Sequence, residues 1–98
     1  MSQHIFHAVD RKRRKVTVTM GYDRPLNYVF CTICSEKGKM LYSNLGDTNA
    51  GCTNQDVEYY RPILRRFGIQ VPELMFMEVV WDQAMQVGNR VVVHTPDE

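Results

Sequence analysis

A chain of 98 residues can close one core but not a second, and a composition 44% hydrophobic and 23% charged excludes a disordered chain. The net charge of +1 excludes a polycation, and three cysteines are too few for a disulfide scaffold and fit a reducing compartment. No apolar run reaches 18 residues, and the opening MSQHIFHAVD has neither a basic n-region with an apolar run nor a cleavage site, so a cytoplasmic location without membrane contact is expected.

Along the chain, HIFHAV (4–9) and KVTVTM (15–20) are short β-branched or aromatic runs on either side of a charged turn, which predicts a hairpin. Val16, Val18 and Met20 share one face of the second run, and Thr17 and Thr19 take the other. GYDRPL (21–26) reads as an interruption, because Gly21 and Pro25 suit a turn or an edge better than a strand interior. NYVFCTIC (27–34) is apolar on both faces, with Tyr28, Phe30 and Cys34 on one and Val29, Cys31 and Ile33 on the other, as a central strand would be. SEKG then turns the chain through Gly38, and KMLYS (39–43) returns as an antiparallel neighbour. NLGDTNAGCTN (44–54) reads as an ordered surface loop.

Two helices follow. In TNQDVEYYRPILRRFGI, Thr53 or Asn54 caps the start, Asp56 and Glu58 suit the positive end of the dipole, and Arg65 and Arg66 suit the negative end. Val57, Tyr60, Leu64 and Phe67 fall on one face, Gly68 is the stop, and Ile69 folds back on the last turn. Pro62 costs ~3 kcal/mol in a helix interior, so a kink or a loose first turn is expected there. VPELMFMEVVWDQAMQV (71–87) predicts a second helix opened by Pro72, its principal face formed by Leu74, Met77, Trp81, Ala84 and Met85. Met75, Phe76, Val79 and Val80 widen that face well past a normal stripe, Gly88 ends the helix, and NRVVVH (89–94) is a last strand. The order ββββααβ predicts an α+β domain: a mostly antiparallel sheet of about five strands, two helices on one face, and a final strand re-entering the sheet.

Charge is unevenly placed. Residues 1–49 hold eight Lys or Arg against four acids, and residues 50–98 hold four against seven. Arg11, Lys12, Arg13, Arg14 and Lys15 form an unbroken run at the hairpin tip, a pattern that can hold phosphate but also reads as a solvated turn that blocks edge-to-edge pairing.

Other constellations lose their chemistry on inspection. Cys31 and Cys34 with His4 and His7 carry zinc-like residue types, yet on a strand positions i and i+3 point to opposite faces, so no metal site is expected. The same CxxC follows strand residues, whereas a redox thiol needs a helix N-terminus. Asp47, Asn49 and Glu58 mimic calcium-loop spacing, but Cys52 stands where the loop needs glycine. His4, His7 and His94 read as half-buried strand residues, and Cys52 has no group to orient a base against it. With no GxSxG, HExxH or phosphate-cradling loop, neither a catalytic set nor a cofactor is expected.

The phrases GYDRPLNYVF (21–30), YSNL (42–45), YYRPILRRFGIQVP (59–72) and VGNRVVVH (87–94) resemble those of a family of small uncharacterised bacterial proteins of about this length. The resemblance implies a stand-alone bacterial cytoplasmic domain and assigns no activity to any residue. The apolar surplus therefore carries the functional expectation. A non-enzymatic module binding another protein, or a second copy of itself, is expected to use Tyr28, Phe30, Met75 and Val79. The alternative is a nucleic-acid binder using residues 11–15, aided by Arg24, Lys37 or Lys39.

Overall fold

Strand alternation places Phe6, Val16, Val18, Met20, Val29, Cys31 and Ile33 on one face of a single sheet, and that face is where the core forms. A computed structural model describes residues 1–47 and 57–95. Its strands are β1 (Ser2–Val9), β2 (Lys15–Asp23), β3 (Tyr28–Ser35), β4 (Met40–Ser43) and β5 (Arg90–His94), and its helices are α1 (Val57–Arg66) and α2 (Glu73–Met85), with a 3-10 turn at Asn44–Gly46. The sheet runs β4-β3-β2-β1-β5, antiparallel from β4 to β1 and parallel between β1 and β5. This is the α+β order expected, with the last strand re-entering beside the first. Asn49, Cys52, Thr53, Asn54 and Asp56, and with them most of the 44–54 loop, lie outside the described residues.

Strand β2 does not stop at Met20. It continues through Gly21, Tyr22 and Asp23, paired with Phe30, Val29 and Tyr28 of β3. Gly21 fits a strand interior because the neighbours have closed over it: a Cβ there would stand 2.0 Å from the Ser2 carbonyl oxygen and 3.0 Å from the Phe30 ring. The turn falls instead at residues 24–27, where the Asn27 N–H donates to the Arg24 carbonyl at 3.2 Å and Asn27 takes a φ of 51°.

Helix α1 buries Val57, Tyr60, Ile63 and Leu64 and runs through Pro62. It closes as the sequence predicts. The Ile69 N–H reaches the Leu64 carbonyl at 3.0 Å, the Gly68 N–H reaches Arg65, and Gly68 has a φ of 73°. Helix α2 is rotated from the expected orientation. Met75, Phe76, Val79 and Asp82 are buried, whereas Leu74, Met77, Val80, Trp81 and Met85 are exposed. Its C-cap is Gln86, at φ 52°, and not Gly88. The Val87 N–H closes it on the Asp82 carbonyl at 2.9 Å.

Candidate functional site

The rotation of α2 follows from one residue. Asp82 sits on the row Met75–Val79–Asp82, and an ionised carboxylate can be buried only where partners satisfy it. Two strands supply them. Strand register puts Ser2 beside Arg90, His4 beside Val92 and Phe6 beside His94, all on the helix-covered face. Asp82 accepts from His4 Nε2 at 2.6 Å and from Arg90 Nη1 at 2.7 Å, and the Ser2 hydroxyl also bonds it. Arg90 forks to Glu78 as well. His4 Nδ1 lies 2.8 Å from His94 Nε2.

Ser2, His4 and Asp82 are fully buried, and His94 is nearly so. Burial works against the Asp82 charge, but the hydrogen bonds from His4, Ser2 and Arg90 hold its carboxyl below the usual range. An ionised Asp82 only accepts, so His4 presents Nε2–H to it. His4 Nδ1 shares its hydrogen bond with His94 Nε2. Burial and the neighbouring His4 push His94 down, as does Arg90, while Glu78 opposes them. Asp82, His4 and His94 thus form one buried hydrogen-bonded chain. It faces the apolar core, and its geometry is that of a fastener between α2, β1 and β5.

With that fastener set, the other side of α2 is left outward. Leu74, Met77, Trp81 and Met85 follow one another at helical spacing along it, and Met77 and Trp81 are each 61% exposed. Met77, Trp81, Glu78 and Arg90 line a surface groove there of about 440 Å³. Met75 and Val79, expected at an interface, are wholly buried against the sheet and cannot meet a partner. The apolar surplus is present, but the opposite helix face carries it.

Tyr28 and Phe30 lie half-buried on the face of the sheet away from the helices, Phe30 over Gly21. Cys31 faces the core and burial pushes its thiol up to about 12, an unreactive group, while Cys34 lies on the other face. His4 and His7 divide in the same way. His7 is exposed and bonded to the Thr17 hydroxyl at 3.1 Å. His4 and His94 correct the expectation of half-buried residues, because each ring is the other's hydrogen-bond partner.

Arg11, Lys12, Arg13, Arg14 and Lys15 are exposed on a tight turn built on Asp10. One Asp10 oxygen accepts the Lys12 and Arg14 N–H groups at 2.9 and 2.8 Å, and the other takes Arg14 Nε at 2.8 Å. Burial acts to raise the Asp10 carboxyl, and the bonds and charge of Arg14 with the Lys12 N–H outweigh it, so its pKa lies below the ordinary value. Among the described residues no group of three or more His, Cys, Asp or Glu is arranged to hold a metal ion. No helix among them is long and apolar enough to cross a membrane.

Comparison of the chain with protein-family models, with curated proteins and with solved structures returns no match.

Proposed function

We propose that this chain is a non-enzymatic interaction module of the cytoplasm and that its docking surface is the outward face of α2. The single observation that carries this reading is the exposed stripe of Leu74, Met77, Trp81 and Met85. A helix that has already satisfied its core face has no need of such a stripe, and contiguous exposed apolar surface is the usual mark of a contact. The occupant is a second copy of the chain. A two-fold contact sets the same patch against itself, and the charged side chains that border this stripe, Glu78 and Arg90, already pair with each other. Trp81 is a large anchor of the kind that dominates such contacts.

Trp81 is the chain's one tryptophan, so it reports on this face directly. Sedimentation over a wide concentration range, followed in parallel by tryptophan emission, is expected to give a dimer and a blue shift that rise together. Trp81→Lys should abolish dimerisation while leaving the circular dichroism unchanged. A chain that stays monomeric, with water-exposed emission at every concentration, overturns self-association.

A further inference from the structure

The backbone that carries the cations at residues 11–15 is held more firmly than a solvated turn requires, and other segments join it. Besides the three bonds to Asp10, the turn closes on itself through Asp10 N–H to the Arg14 carbonyl at 2.9 Å and Arg13 N–H to the Asp10 carbonyl at 3.0 Å. On one side the Arg11 N–H donates to the Phe67 carbonyl at 2.9 Å. Gly68 is pressed so close that a Cβ there would lie 2.7 Å from the Arg11 Cβ. On the other side the Glu36 N–H donates to the Lys15 carbonyl at 3.1 Å. These bonds tie the turn to the end of α1, which carries Arg65 and Arg66, and to the β3–β4 turn, which carries Lys37 and Lys39.

Arg14 is paired with Asp10. Arg11, Lys12, Arg13 and Lys15 make no ion pair among the described residues, and neither do Lys37, Lys39, Arg65 and Arg66. All of them are exposed. Sequence distance hides this convergence, since residues 11, 37 and 65 belong to three different connections.

We infer that this end of the molecule binds the phosphate backbone of double-stranded nucleic acid without reading its sequence. Cations gathered on a hydrogen-bonded backbone scaffold suit a stiff polyanion that meets three segments at once, whereas a fluid anionic surface has no need of a rigid scaffold. Single strands are held by stacking on exposed aromatics, and the two that share a groove with Arg66, Tyr42 and Tyr59, are half-buried with both hydroxyls bonded to Asp47. Phe67 packs against the core, Trp81 lies on the outward face of α2, and Tyr28 is at the opposite end of β3 from Ser35. This inference stands apart from self-association, because it uses none of the α2 stripe.

The test is fluorescence anisotropy with a short labelled duplex of random sequence, titrated with the whole protein at several salt concentrations. If about five phosphates are neutralised, affinity should fall roughly 500-fold between about 50 and 200 mM salt. Two double variants probe separate segments: Lys12→Ser with Arg13→Asn in the turn, and Arg65→Ser with Arg66→Ser on α1. Each removes two cations, so each should reduce that fall to roughly 40-fold. Thermal melts confirm that both variants fold, and charge-keeping Lys12→Arg should bind as the original does. Duplex binding with a reduced salt slope in both variants supports the inference. Absence of binding at low salt overturns it, as does a slope unmoved by either variant. Binding to anionic phosphatidylserine vesicles without binding to duplex overturns it in favour of a membrane surface.

Discussion

Removing the carboxylate at position 82 strips His4 of its acceptor and leaves Arg90 with Glu78 alone. Asp82→Ala should therefore destabilise the fold by about 3 kcal/mol, the lower part of the range for breaking a buried pair, because Arg90 is partly exposed and can rehydrate. Urea midpoints read this directly. His94 makes a separate prediction in pH. Its pKa is depressed from the ordinary 6.5 in the folded state, so as pH falls the unfolded chain takes up the proton first and stability drains away. Stability should be full above about 6.5, decline as pH falls through the folded value, and then level off with respect to this group. His94→Gln should flatten that decline between neutral and mildly acid pH. Two left-handed residues point the other way. Arg13 at φ 61° and Gln86 at φ 52° occupy a region that side chains disfavour, so Arg13→Asn and Gln86→Gly should each stabilise by about 0.5–1 kcal/mol in thermal melts.

Among the elements, β2 depends on what it lacks. Gly21→Ala would drive a methyl group into the Ser2 carbonyl, and the strand would have to shift, at a cost of about 1–3 kcal/mol readable in the denaturation midpoint. The sequence made most of this layer legible. Short apolar and β-branched runs, alternating in 15–20 and apolar on both faces in 27–34, point to all five strands, and the Gly68 closure of α1 follows from its residue type and position. Strand β2 was misread at its end because Gly21 looks like a breaker until the neighbours that close over it are known. Helix α2 was misread for another reason. It is apolar nearly all the way round, so periodicity cannot choose its inner face. The choice is made by Asp82 meeting His4, 78 residues away in sequence. No local spacing announces such a pair. The same holds for the basic end: the pentad is plain in the sequence, but its junction with Arg65 and Arg66 rests on a backbone bond from Arg11 to Phe67.

At the scale of the whole molecule, one face of the sheet is roofed by both helices, the outer side of α2 in that roof is apolar, and the cations gather where three connections meet. An architecture in which β1 pairs with both β2 and β5 carries many contacts between distant residues. Refolding followed by circular dichroism should therefore take on the order of milliseconds to seconds, slower than a helical bundle of this size. The parallel register of Ser2 with Arg90 through Phe6 with His94 also orders events during synthesis. The first strand to leave the ribosome waits for the last. Until residues 90–94 emerge, β1 presents an unpaired edge, and His4 lacks its neighbouring ring and Asp82 its arginine. Between the emergence of β4 and that of β5 the nascent chain can pair only as a four-stranded meander with an open edge, and such edges invite mispairing with other chains. Closing that edge and sealing the buried histidines are one and the same late step.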